Sequence, residues 1–79
     1  MQFERRSIQI KVRGNTIELF ELSAGDMLRM DENTDMSVFL EACMEGVTAE
    51  AIKGWPLAVA SEIYAAASEL NGLDSDAGN

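Results

Sequence analysis

Ile8, Ile10 and Val12 alternate with Gln9, Lys11 and Arg13, and a second apolar run opens a few residues later at Ile17. A period of two marks a strand buried on one face. Gly14-Asn15 lies between the runs, and both residues tolerate the positive φ that two-residue hairpin turns require. The reading is a β-hairpin with strands over 7–13 and 16–22. A loop at 14–15 sets the register: Val12 faces Ile17, Ile10 faces Leu19, and Lys11 faces Glu18 on the polar side. Each pair contributes roughly 0.2–1 kcal/mol. Phe20 and Leu22 break the alternation and point to the other face, where core or a partner must cover them. Two strands alone are marginal in water, so the remaining residues must supply helices to lie on the apolar face.

Helical signals follow at once. Ser23 is an N-cap with Asp26 three residues on as its capping-box acid, which starts a short helix over about 24–30. Thr34 or Asp35 caps a second helix over about 35–45, which Gly46 ends. Met36, Phe39, Leu40, Cys43, Met44 and Val47 fill every apolar position of its i, i+3, i+4, i+7 pattern. Thr48 caps a further turn of helix to Lys53. Pro56 occupies the first turn of a last helix, whose stripe is Val59, Ala60, Ile63, Ala66, Ala67 and Leu70 and which Asn71-Gly72 stops. The expected fold is α+β, an N-terminal β-hairpin packed against three to four short α-helices. Residues 1–72 form one domain, and residues 73–79 a flexible C-terminal tail.

A domain this small buries only about 60% of its unfolded surface, so its stability margin is thin. One cysteine and no histidine among 79 residues leave no internal disulfide and no cysteine–histidine zinc site. Extra stability then comes from a partner or from self-association as a homo-oligomer. The net charge of −8 is uneven: four basic residues against one acid over 1–13 give +3, and two against thirteen over 14–79 give −11. Such an acidic surface repels nucleic acid and anionic lipid, so neither is expected as a partner. Residues 1–10 hold no signal-peptide apolar run, and the longest unbroken apolar stretch anywhere is the five residues Ile63 to Ala67. With a single unpaired thiol, the expected compartment is the cytoplasm.

Chemistry is hard to assemble from this inventory. Asp31, Asn33 and Asp35 match the first ligands of a calcium loop, but Met36 stands where the glycine belongs and Ala42 where the glutamate belongs. Leu73-Asp74-Ser75-Asp76 follows the last helix, the wrong place for a phosphopantetheine serine. Cys43 sits within an apolar stripe with no histidine to activate it, and a buried cysteine there packs as a small hydrophobe. No catalytic residue, cofactor or metal is expected, and the chain reads as a binding protein. Trp55 and Tyr64 are the large amphipathic aromatics that anchor interfaces, although Trp55 before Pro56 equally suits a plug between helices. Met27 and Met30 are the methionines free to serve a partner.

Two strings then stand out together. Thr16 to Met30, TIELFELSAGDMLRM, resembles the strand–SAGD–helix segment of the tail assembly chaperones of long-tailed bacteriophages. Gly46 to Gly72, with its Val-Thr-Ala-Glu-Ala-Ile, a proline, and a helix ending Glu-Leu-Asn-Gly, resembles their C-terminal half. Phe20-Glu21-Leu22 departs from the arginine, often with a proline, that the family has there. The resemblance implies a non-enzymatic chaperone in the host bacterial cytoplasm. It would bind the tape measure protein, keep it soluble while tail tube subunits assemble around it, and be absent from the mature virion. Phe20, Leu22, Met27, Met30, Trp55 and Tyr64 are the expected partner-binding residues. The alternatives are a small acidic antitoxin-like regulator that blocks a basic target, and a structural tail subunit.

Overall fold

A computed structural model describes residues 1–73. The order is β1 (Ser7–Val12), β2 (Asn15–Phe20), α1 (Ala24–Leu28), α2 (Met36–Cys43), α3 (Ala49–Lys53) and α4 (Leu57–Leu70). This is the expected α+β arrangement, a hairpin followed by four helices. Of the tail expected over residues 73–79, residues 74–79 lie outside the described residues.

The hairpin differs from the sequence reading in its turn. Arg13 and Gly14, not Gly14 and Asn15, are the central pair, with φ of 51° and 83°. Positive φ at both is the requirement of a primed turn. Asn15 instead opens β2 opposite Val12, and its side-chain amide reaches back toward the Val12 and Arg13 carbonyls at 3.5 and 3.4 Å. Ile10 therefore pairs with Ile17, Ile8 with Leu19 and Lys11 with Thr16, so the expected Lys11–Glu18 pair does not form. The slip displaces each residue's partner by two positions, which keeps every side chain on its expected face. The reason is visible at the open end. The expected register sets Ile8 against Glu21, whereas the observed one sets Arg6 against Glu21. There the Glu21 N–H donates to the Arg6 carbonyl at 2.9 Å and the two side chains form an ion pair at 2.9 Å.

Phe20 does lie on the polar side, opposite Ser7. Leu22 does not: β2 ends at Phe20, the chain turns, and Leu22 packs against the core.

The helices begin where their caps predict. Ser23 Oγ accepts from the Asp26 N–H, Asp35 from the Val38 N–H and Thr48 Oγ1 from the Ala51 N–H, each satisfying one of the donors a helix start leaves unpaired. Pro56 is one residue earlier than expected, the extended residue before α4 rather than its first turn. At the far end Gly72 adopts φ 70°, while the Leu73 N–H bonds to the Ser68 carbonyl and the Gly72 N–H to the Glu69 carbonyl. That pair of bonds is a Schellman stop, and its left-handed residue favours glycine.

α4 lies against the hairpin, and α2 packs on both α3 and α4. Val12 and Leu19 from the sheet meet Phe39, Leu40, Cys43, Ile52, Ile63 and Ala67 from the helices in one buried cluster. Among the described residues no helix is long and apolar enough to cross a membrane.

Candidate binding surfaces

The short helix α1 buries none of its residues. It sits on the outside of the core and holds Met27 42% exposed and Leu28 86% exposed. Met27 and Met30 thereby form one wall of a groove of about 450 Å³ that Met36, Phe39, Tyr64 and Leu73 complete. Tyr64 projects from α4 and meets the Phe39 ring edge-on, with centroids 5.1 Å apart. That contact fixes the tyrosine ring while 41% of the residue stays in solvent, the usual posture of an aromatic that is apolar in body and wet at its tip. Asp31 and Thr34 supply the polar rim.

Leu22 lines an adjoining, more polar depression together with Arg6, Glu69 and Asn71, and Met27 and Leu73 are common to both. Four of the six expected partner-binding residues, Leu22, Met27, Met30 and Tyr64, thus share one continuous surface. Phe20 and Trp55 do not belong to it. They line a separate groove of about 530 Å³, with Ile17, Met44, Val47 and Ile63 as its other apolar walls. Trp55 is half-buried against the core, and its backbone N–H bonds to the Ile52 carbonyl just past α3.

Two residues whose long-range contacts were not legible in the sequence hold these surfaces in place. Arg5 carries its guanidinium 5.4 Å from the centre of the Phe20 ring and donates to the carbonyls of Glu21 and, at 3.0 Å, Ala42. It shields part of Phe20 by a cation–π contact and places positive charge at the C-terminal end of α2, where the helix dipole favours it. Asn71 joins three segments. Its Oδ1 accepts from the Leu22 N–H at 2.8 Å, and its Nδ2 donates to the Ala67 carbonyl at 2.9 Å and reaches Cys43 Sγ at 3.9 Å. An Asn-Gly pair after a helix reads locally as a stop signal, and nothing local links it to a residue 49 positions away.

The chemistry-bearing residues are otherwise occupied. Burial pushes the Cys43 thiol up to about 11, against which the nearby Arg5 charge and the Asn71 amide act only partly. At neutral pH it is a protonated packing group. The Asp31–Asp35 loop closes on itself, with Asp31 Oδ1 accepting from the Asn33 N–H at 2.8 Å and Thr34 Oγ1 from the Asp31 N–H at 2.9 Å. No cluster of three metal-ligating side chains occurs among the described residues. Comparison of the chain with models of known protein families, with curated proteins and with solved structures found no match.

Proposed function

We propose that this protein is a non-enzymatic chaperone that covers the apolar stripe of a helical partner with the groove between α1 and α4. The observation that carries the reading is the groove itself, with three methionines, a tyrosine and a phenylalanine around it, and with Met27 on a helix that buries none of its residues. Unbranched, polarisable methionine side chains re-pack around successive, non-identical apolar faces, which suits a chaperone better than a single fixed partner. The charge of −11 over residues 14–79 keeps such a complex dispersed. Several copies along one long helix would multiply individually weak contacts. The resemblance to tail assembly chaperones supplies the partner: the tape measure protein of a long-tailed phage, held in the host bacterial cytoplasm while tail tube subunits assemble.

Co-expression with the tape measure protein of the same phage tests this. The partner should become soluble, the complex should survive about 1 M salt, where screening reaches within about 3 Å, and Met27→Ser with Tyr64→Ser should release it without unfolding the chaperone. A partner equally soluble alone would sink the reading. A complex that dissolves steeply with salt would point instead to an acidic regulator blocking a basic target.

A further inference from the structure

A two-stranded sheet has two open edges, and here they are not equivalent. In a hairpin closed by a two-residue turn, Val12/Asn15, Ile10/Ile17 and Ile8/Leu19 exchange the hydrogen bonds, and the Glu21-to-Arg6 bond continues the same phase. The backbone N–H and C=O groups of Thr16, Glu18 and Phe20 therefore point away from β1. Among the described residues none of them bonds to another element. Such a row is a template for one more strand.

The β2 edge also has a facing wall. The groove that holds Phe20 and Trp55 runs along β2 from Asn15 to Phe20, with Met44, Val47 and Trp55 on its far side. Its charged side chains are Glu18 and Glu45, both exposed, and neither forms an ion pair among the described residues. An edge of unpaired amides beside a half-buried apolar wall is the geometry of strand addition, in which the backbone supplies affinity and alternate side chains supply selectivity.

We propose that the β2 edge binds an extended peptide segment of a partner, alternating apolar side chains toward Met44, Val47 and Trp55 with basic side chains toward Glu18 and Glu45. Charge complementarity selects this occupant. A second copy fits less well: residues 14–79 of each copy carry −11, and pairing β2 with β2 would bring the Glu18 and Glu45 carboxylates of the two copies together. The site is independent of the methionine groove, and the two could be filled at once by the extended and helical parts of one partner.

A short peptide of alternating valine and lysine, titrated into the full chain, tests the proposal. Trp55 is the sole tryptophan, so its emission reports the groove, and backbone amide NMR shifts report the edge. Saturable binding should move the Thr16, Glu18 and Phe20 amides and leave those of Met27 and Tyr64 in place. N-methylating alternate peptide amides should weaken it about tenfold, as loss of one or two hydrogen bonds predicts. Glu18→Lys with Glu45→Lys should abolish preference for the lysine peptide and transfer it to a valine–glutamate peptide. Indifference to N-methylation, equal binding of both peptides to the unaltered chain, or shifts confined to the methionine groove would overturn the proposal. So would concentration-dependent broadening of the three edge amides without peptide, which would assign the edge to a second copy.

Discussion

Asn71 ties three separate segments of the described chain together through one side chain. It pairs the Leu22 N–H, which is otherwise left without a partner where β2 runs out, and ties it to α4 and to the buried thiol of α2. Its removal strands a part-buried donor, which costs about 1–3 kcal/mol. The Arg6–Glu21 ion pair is shorter in sequence separation and more conspicuous, but the arginine side chain is 73% exposed, and solvent-exposed pairs contribute little to stability. Asn71→Ala is therefore expected to lower the urea midpoint more than Arg6→Ala, measured by chemical unfolding of the two variants side by side. Equal losses would mean that the Leu22 amide finds water in the folded state. At the same scale the six residues expected to bind a partner divide by geometry: Met27, Met30 and Tyr64 line one groove with Leu22 in the depression adjoining it, while Phe20 and Trp55 face another.

The hairpin turn is the element with the clearest local strain. Arg13 is the only described non-glycine residue with positive φ, a conformation that costs an ordinary side chain roughly 1 kcal/mol. Asparagine tolerates that region, and Asn-Gly is the favoured pair of a primed turn. Arg13→Asn is expected to stabilise the fold by about 0.5–1 kcal/mol with the register unchanged, read from the denaturant midpoint and from cross-strand contacts between Ile10 and Ile17. A loss of stability would show that the Arg13 side chain contributes more than its backbone costs. Three of the four helix starts were legible in the residues because a cap is a contact over three positions: Ser23, Asp35 and Thr48 each meet the N–H of the third residue on, whereas α4 follows Pro56 with no side-chain cap. The register was not legible to the residue, because Gly14-Asn15 and Arg13-Gly14 both satisfy the turn and place the same side chains inward. Only the distant fit of Arg6 to Glu21 separates them.

For the molecule as a whole, acidity and stability are linked through three carboxylates. Glu21 is held below its ordinary value by the Arg6 N–H and then by the Arg6 guanidinium. Burial works against Asp26, but the Ser23 hydroxyl and N–H together with Arg29 lower it; Asp35 is lowered by the Ser37 hydroxyl and then the Val38 N–H. A carboxylate with a depressed folded value stabilises the fold above its unfolded value, 4.5 for Glu21 and 3.8 for the aspartates. That contribution disappears as pH falls through the lower folded value. The unfolding midpoint should hold level above about pH 5 and decline below about pH 4, and Glu21→Gln, Asp26→Asn and Asp35→Asn combined should flatten the decline. An unchanged acid limb in the triple variant would place the sensitivity elsewhere. Strand alternation, helical stripes, caps and the Asn71-Gly72 stop were determined by the sequence alone, since each is a periodicity or a contact within a few residues. The tertiary structure decided the hairpin register, the return of Leu22 to the core, the roles of Arg5 and Asn71, and the division of the exposed side chains between two grooves. Those depend on residues 15 to 49 positions apart, whose meeting is set by how α4 lies against the sheet and by no local pattern.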